Sequence, residues 1–147
     1  VCTHHPGNSM PLFCFHKKYS SFPRRRPVLS CSHSGGIPSQ PLRAVILVGD
    51  ACEESPATLA SLAGRCAIKK IPLFLFQEGR DAHTRAIFEQ LAQLSHGAYA
   101  PFDASSADQL RTLLAAVSRF AQGGVAALRR SNTRGDRTLL CQLEKTP

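Results

Sequence analysis

A run of branched apolar residues, Ala44 to Val48, leads directly into Gly49 and Asp50. Continuous apolar runs of this length are typical of strands that a parallel sheet buries on both faces. A second apolar run, Ile71 to Phe76, has its only proline near its start, where a strand tolerates one. The two runs therefore predict two buried strands of a parallel sheet.

Helical patterns follow both strands. Ser55-Pro56 is a favourable helix start, because serine is a good N-cap and proline is preorganised for the first turn. Apolar residues then recur at helical spacing as far as Cys66. Asp81 is a suitable cap for a second helix, and we expect that helix to stop at Gly97.

A third strand and a third helix complete this pattern. Residues 98–102 predict a short strand, and Ser105 to Asp108 has the spacing of a capping box. The helix that follows is interrupted at Gly123-Gly124. Strands and helices that alternate through short connections predict an α/β fold, a three-layer Rossmann-like parallel sheet with flanking helices. Its ligands are expected beyond the carboxyl ends of the strands, where Asp50 and the turn from Gln77 to Asp81 lie.

Residues 1–42 differ from the rest of the chain in charge. The chain has 18 basic and 10 acidic residues, a net charge of +8, and residues 1–42 contain no Asp or Glu. Five of the basic residues lie there: Lys17, Lys18, Arg24, Arg25 and Arg26. A basic segment attracts phosphates non-specifically, but no nucleic-acid-binding motif accompanies it. We therefore expect a disordered basic segment and do not favour nucleic-acid binding.

Three Cys-x-His triplets, beginning at Cys2, Cys14 and Cys31, lie in the same segment. Cysteine and histidine are zinc ligands, but structural zinc sites pair them at other spacings. The alternatives are a zinc knuckle, a disordered tail, and a stretch that arises from a wrong reading frame or start. The other three cysteines are scattered along the chain, and we expect them to be buried free thiols.

Membrane attachment is not predicted. No apolar run reaches the roughly 18 residues that a membrane span requires. The apolar stretch near the start is too short for a signal peptide, and its charges follow it rather than precede it. These patterns predict a cytoplasmic protein.

Four stretches carry a resemblance to a known family: "VILVGDACEESPATLASLAGR", "IPLFLFQEGRD", "LAQLSHGAYAPFD" and "QLRTLLAAVSRFAQGGVAAL". Together they resemble the second half of a von Willebrand factor A-type (VWA) domain, in particular of a bacterial intracellular type. The resemblance spans about residues 43–130 and implies a partial, or half, VWA fold. Residues 131–147 are then a C-terminal tail, in which Arg134-Gly135-Asp136 matches an integrin-binding tripeptide that is common by chance.

The resemblance also implies a metal-ion-dependent adhesion site, but an incomplete one. The family site combines an Asp-x-Ser-x-Ser loop, a threonine from a later loop, and an aspartate after the fourth strand, which Asp50 matches. The first two should precede residue 43, where no aspartate occurs; Asp103 begins a similar stretch that lacks the final serine. Mg²⁺ prefers octahedral oxygen coordination, which one carboxylate does not supply. We expect Asp50 to be the remnant of a site that binds Mg²⁺ weakly or not at all.

The incomplete site favours a non-enzymatic protein-interaction module, a truncated or degenerate VWA-like domain. If residues 1–42 leave the Ala44–Val48 strand as an open edge, that edge would bind another protein or a second copy of the chain. The alternative is a metal-dependent hydrolase or phosphoryl-transfer enzyme that uses the carboxylates Asp50, Glu53 and Glu78 at the sheet edge. No catalytic residue is assigned, because no G-x-S-x-G, P-loop or G-x-G-x-x-G motif occurs.

Overall fold

The computed structural model describes residues 13–18, 42–103, 105 and 107–144, and of residues 13–18 it describes only the backbone. The strands are β1 (Phe13–Lys18), β2 (Ala44–Gly49), β3 (Leu73–Glu78) and β4 (Ala98–Phe102). The helices are α1 (Pro56–Ile68), α2 (Ala82–Leu94), α3 (Ala107–Ser131) and α4 (Arg134–Leu143).

The strands form one parallel sheet in the order β1-β2-β3-β4. Val45 lies opposite Leu73, and Phe74 lies opposite Ala98, so the strands from β2 onward add to the sheet in chain order. Helices α1 and α2 connect them. The predicted α/β fold with a parallel sheet and flanking helices is confirmed at this level.

An apolar cluster lies on each face of the sheet, where the strands pack against the helices that cover that face. Alternate side chains of β2 and β3, including Ile46 and Phe74, pack with α3 and α4, while Leu75 on the opposite face packs with α1 and α2. The rings of Phe74 and Phe120 meet edge to face with their centroids 5.1 Å apart. Because each central strand is covered on both faces, its apolar run is continuous rather than alternating.

We expected residues 1–42 to be disordered, which would leave β2 as an open edge, but the structure places a strand beside it. Strand β1 pairs with β2 in parallel, with Phe13 opposite Ala44 and Lys18 opposite Gly49. The Ala44–Val48 strand is therefore not an open edge in this structure, because neighbouring backbone occupies its hydrogen-bonding side. The triplets at Cys2 and Cys31 lie outside the described residues.

Strand β3 begins two residues later than predicted. Lys70 has a positive φ of 56°, and the N–H of Ile71 donates to the carbonyl of Cys66. Ile71 therefore belongs to the turn that ends α1, and its apolar side chain misled the sequence interpretation. The carbonyl of Pro72 is the first to join the sheet, accepting from Val45 N at 3.1 Å.

Gly97 has a different role from the helix stop that we predicted. Helix α2 ends at Leu94, and His96, not the glycine, has the positive φ, 56°. A Cβ atom on Gly97 would lie 1.9 Å from the carbonyl oxygen of Leu73. The glycine is required because the chain entering β4 passes against the backbone at the start of β3.

Helix α3 also starts and continues differently from a simple capped helix. The predicted capping box is not formed: the hydroxyl of Ser105 donates to Asp103, and Asp108 accepts from Arg111 at 2.8 Å. The predicted interruption is confirmed, because Gly123 and Gly124 have non-helical backbone angles inside α3.

Residues 134–143, expected within a tail, form the packed helix α4. Leu139 is fully buried against the core, and Gly135 lies where a Cβ would be 2.5 Å from the carbonyl oxygen of Thr112 on α3. The glycine of the Arg-Gly-Asp tripeptide thus permits close packing of two helices.

Candidate functional site

The carboxyl edge of the sheet gathers the acidic residues that the sequence singled out. Asp50 follows β2, Glu78 ends β3 and Asp103 follows β4, and the register of the parallel strands places them along one edge. Asp50 and Glu78 are half-buried, whereas Glu53, before α1, is exposed. This is the edge at which α/β proteins bind ligands.

The turn from Gln77 to Asp81 is held by its own hydrogen bonds. Asp81 caps α2, accepting from the N–H of Thr84 at 2.7 Å, and this bond lowers the pKa of the Asp81 carboxyl. The buried Gln77 side chain donates to the carbonyl of Asp81 at 2.8 Å and accepts from the Tyr99 hydroxyl at 2.7 Å. Asp81 therefore has a capping role, as the sequence predicted.

Asp103 also has a structural role. One carboxylate oxygen accepts from both the N–H and the hydroxyl of Ser105, each at 2.9 Å. These bonds lower the pKa of Asp103. The stretch that begins like a metal-binding loop is thus a turn that leads into α3.

A metal-ion site does not fit the residues at this edge. Among the side chains of residues 42–103, 105 and 107–144, no group of three or more His, Cys, Asp or Glu is placed to hold a metal ion. Asp50 and Glu53 do take part in other interactions within the chain. No chemical step is therefore assigned to a metal at Asp50.

The opposite, amino edge of the sheet contains a second candidate that the sequence interpretation missed. A cavity of about 390 Å³ lies between the residues that precede β2, the turn after α1 and the kink of α3. Its lining residues are Leu42, Arg43, Lys69, Lys70, Pro72, Phe120, Ala121 and Gly124. Three of these are basic and none is acidic, so the cavity is lined by positive charge and apolar surface.

Helix α1, whose last turn adjoins this cavity, is poorly covered. It buries only Ala63, whereas α2, also of 13 residues and on the same face of the sheet, buries five residues. Ile68, the last residue of α1, is 84% exposed. The cavity with Arg65 and Ile68 is called the amino-edge surface below. Its signal in the sequence is weak, because basic residues such as Lys69 and Lys70 at the end of a helix are also explained by the helix dipole.

A buried charged cluster between α3 and α4 was also missed. Asp136 is fully buried; it accepts from Arg119 on α3 at 2.9 Å and forms a capping box with Thr133. Burial alone would raise the pKa of Asp136, but the hydrogen bonds from Thr133 and Arg119 outweigh it and the pKa is lowered. Because this carboxylate is buried and paired, the Arg-Gly-Asp tripeptide is not displayed for adhesion. The Thr133-x-x-Asp136 spacing was the available signal.

The thiols of Cys66 and Cys141 are free, as expected, but neither is fully buried, and Cys52 is not fully buried either. Cys52 and Cys66 are half-buried and Cys141 is exposed. Burial raises the pKa of the Cys66 thiol, although Lys69 and Arg65 act in the opposite direction. The pKa of Cys66 is therefore shifted away from the lowered value that marks a reactive thiolate.

Comparison with known proteins does not assign this chain to a family. No family model, no curated protein and no solved structure matches the chain. Among the helices that the structure describes, none is long and apolar enough to cross a membrane.

Proposed function

We propose that this chain is a non-enzymatic protein-interaction module, a truncated or degenerate VWA-like domain. The observation that carries the proposal is the unequal burial of two equal helices on one face of the sheet. Helix α1 buries a single residue and α2 buries five. Apolar side chains of α1 and β2 that remain half-exposed, such as Leu47, Leu59 and Leu62, gain free energy when a partner covers them.

The acidic edge supports the same proposal indirectly. Asp81 and Asp103 are used to cap a helix and to hold a turn. Side chains that are committed to backbone groups in this way are poor candidates for moving protons or holding substrates. The metal-dependent hydrolase with Asp50, Glu53 and Glu78 has no specific structural feature in its favour.

Self-association through the Ala44–Val48 strand is a less supported mode of interaction. Pairing with a second copy at that position would require β1 to leave β2. The half-exposed surface of α1 requires no such displacement, and we therefore assign the interaction to α1.

Peptide display against the purified full chain tests the proposal. Peptides enriched from a library of unrestricted composition should bind saturably in calorimetric titrations, and scrambled versions of the same peptides should not. If no enriched peptide binds saturably, the interaction-module proposal is wrong. Turnover of a phosphate monoester with Mg²⁺ that Asp50→Asn abolishes would instead favour the hydrolase.

A further inference from the structure

We propose that the partner presents an acidic segment with an apolar anchor, and that this segment binds the amino-edge surface. The inference rests on the proposed function and specifies its partner. The site is the cavity at the amino ends of β2 and β3, together with Arg65 and Ile68 at the end of α1. It lies at the opposite end of the strands from Asp50.

The first argument is unpaired charge. Four arginines elsewhere in the described residues have carboxylate partners, in the pairs Arg85–Glu89, Arg111–Asp108, Arg119–Asp136 and Arg129–Glu144. At the amino-edge surface Arg43, Arg65, Lys69 and Lys70 have none among those residues. Other arginines, namely Arg80, Arg130, Arg134 and Arg137, also lack an ion pair within that part of the chain. The amino-edge surface is marked by the grouping of such cations, because Arg43, Lys69 and Lys70 line one cavity. The dipole of α1 accounts for basic residues at its own end, but Arg43 lies outside that helix. The surface thus offers several cations to an anionic partner.

The second argument is the apolar surface beside these charges. Ile68 is 84% exposed, and the cavity is also lined by Leu42, Pro72 and Phe120. A volume of about 390 Å³ is within the range of sites that bind small ligands, and it is large enough for one apolar side chain of a peptide. A phosphate backbone would use the cations and leave the apolar lining uncovered, so the combination favours a peptide.

The third argument concerns which segment carries the acids. The preceding residues 1–41 of this chain contain five basic residues and no acidic residue, so they repel rather than complement the site. Glu144, near the end of α4, is already paired with Arg129. Charge therefore points to an acidic segment of another protein.

Fluorescence anisotropy with matched labelled peptides tests this inference on the full chain. The first peptide combines Glu and Asp with Leu and Phe; the second replaces its acids with Lys and Arg; the third replaces its apolar residues with Ser. We expect saturable binding of the first peptide, and at least about tenfold weaker binding of each of the other two.

Variants locate the binding site. Arg43→Glu with Lys69→Glu should weaken binding of the first peptide at least about tenfold, because like charges then face each other. The matched control, Arg80→Glu with Arg134→Glu, changes the same number of exposed charges elsewhere and should leave affinity unchanged. Ile68→Ser should weaken binding, whereas Leu94→Ser, at the other large apolar residue that is exposed within the described part of the chain, should not.

The outcomes separate this inference from the proposed function. Display-selected peptides that bind but are not acidic, or that bind both charge variants equally, would overturn the inference and leave the interaction module intact. A single-stranded oligonucleotide that binds more tightly than the first peptide, and loses affinity in Arg43→Glu with Lys69→Glu, would assign the surface to nucleic acid and overturn the inference. Association of the chain with itself that the first peptide does not displace would also overturn it.

Discussion

The side chain of Gln142 on α4 hydrogen-bonds both backbone polar groups of Tyr99 on β4. Its Oε1 accepts from the Tyr99 N–H at 2.7 Å, and its Nε2 donates to the Tyr99 carbonyl. These groups point away from β3, toward the side of β4 on which a fifth strand would pair. Gln109 on α3 similarly donates to the carbonyl of Pro101 at 3.1 Å and accepts from Asp103 N at 3.5 Å. Two glutamines thus close the free edge of β4 against strand addition.

Removal of this contact should destabilise the protein. Gln142→Ala is expected to lower the free energy of unfolding by about 1–3 kcal/mol, because it leaves a donor and an acceptor of Tyr99 unpaired. Urea denaturation followed by circular dichroism measures the change. Gln90→Ala, at an exposed position of α2, is the matched control and should change stability little. Equal stability of the two variants would show that Gln142 does not hold this edge.

Two glycines should respond oppositely to the same substitution. Gly97→Ala is expected to cost more than about 3 kcal/mol of stability, because its Cβ would lie 1.9 Å from the carbonyl oxygen of Leu73. Gly64→Ala, in α1 with no atom within 4 Å of the new Cβ, should stabilise the protein by about 0.5–1 kcal/mol. Thermal melts of both variants check this. A tolerated alanine at Gly97 would contradict the close approach of the two strands.

The buried carboxylate of Asp136 should make α4 sensitive to acid. Since its folded-state pKa is lowered, its contribution to stability is present above the ordinary value of 3.8 and is lost as pH falls through the folded pKa. Asp136→Ala should cost about 2–4 kcal/mol near neutral pH, through loss of a cap and of a charge-assisted hydrogen bond. Unfolding curves between neutral and acidic pH measure both effects.

The control for Asp136 is Asp108, which forms an ion pair with Arg111 in which both side chains are exposed. Asp108→Ala should cost less than about 1 kcal/mol, because exposed ion pairs contribute little. If the two variants lose the same stability, or if Asp136→Ala shows the same acid dependence as the unsubstituted protein, the assigned role of Asp136 is wrong.

Metal binding at Asp50 should be weak. We expect Mg²⁺ to bind with a dissociation constant no tighter than about 1 mM, because Mg²⁺ sites require several well-placed oxygen ligands. Isothermal calorimetry with the full chain and with Asp50→Asn is the measurement, and the two should give the same heats. A micromolar affinity that Asp50→Asn removes would contradict the remnant interpretation.

The sequence alone determined the order of the central elements. Apolar runs such as Ala44–Val48 are long enough to require burial on both faces, and Asp81 and Gly123-Gly124 act through local geometry. These features depend on neighbours along the chain, so the strands and helices they produce can be predicted without knowledge of the tertiary structure. The α/β class and the positions of β2, β4 and α2 follow from them.

Only the tertiary structure decided the features that join distant residues. Gln142 and Tyr99 are 43 positions apart, and nothing local predicts their contact. The burial of Asp136 depends on Arg119 of another helix, and the need for glycine at position 97 depends on the backbone of Leu73. The amino-edge surface likewise exists only because the start of β2, the end of α1 and the kink of α3 come together. Such contacts depend on how elements pack, and that packing is not encoded in any local pattern.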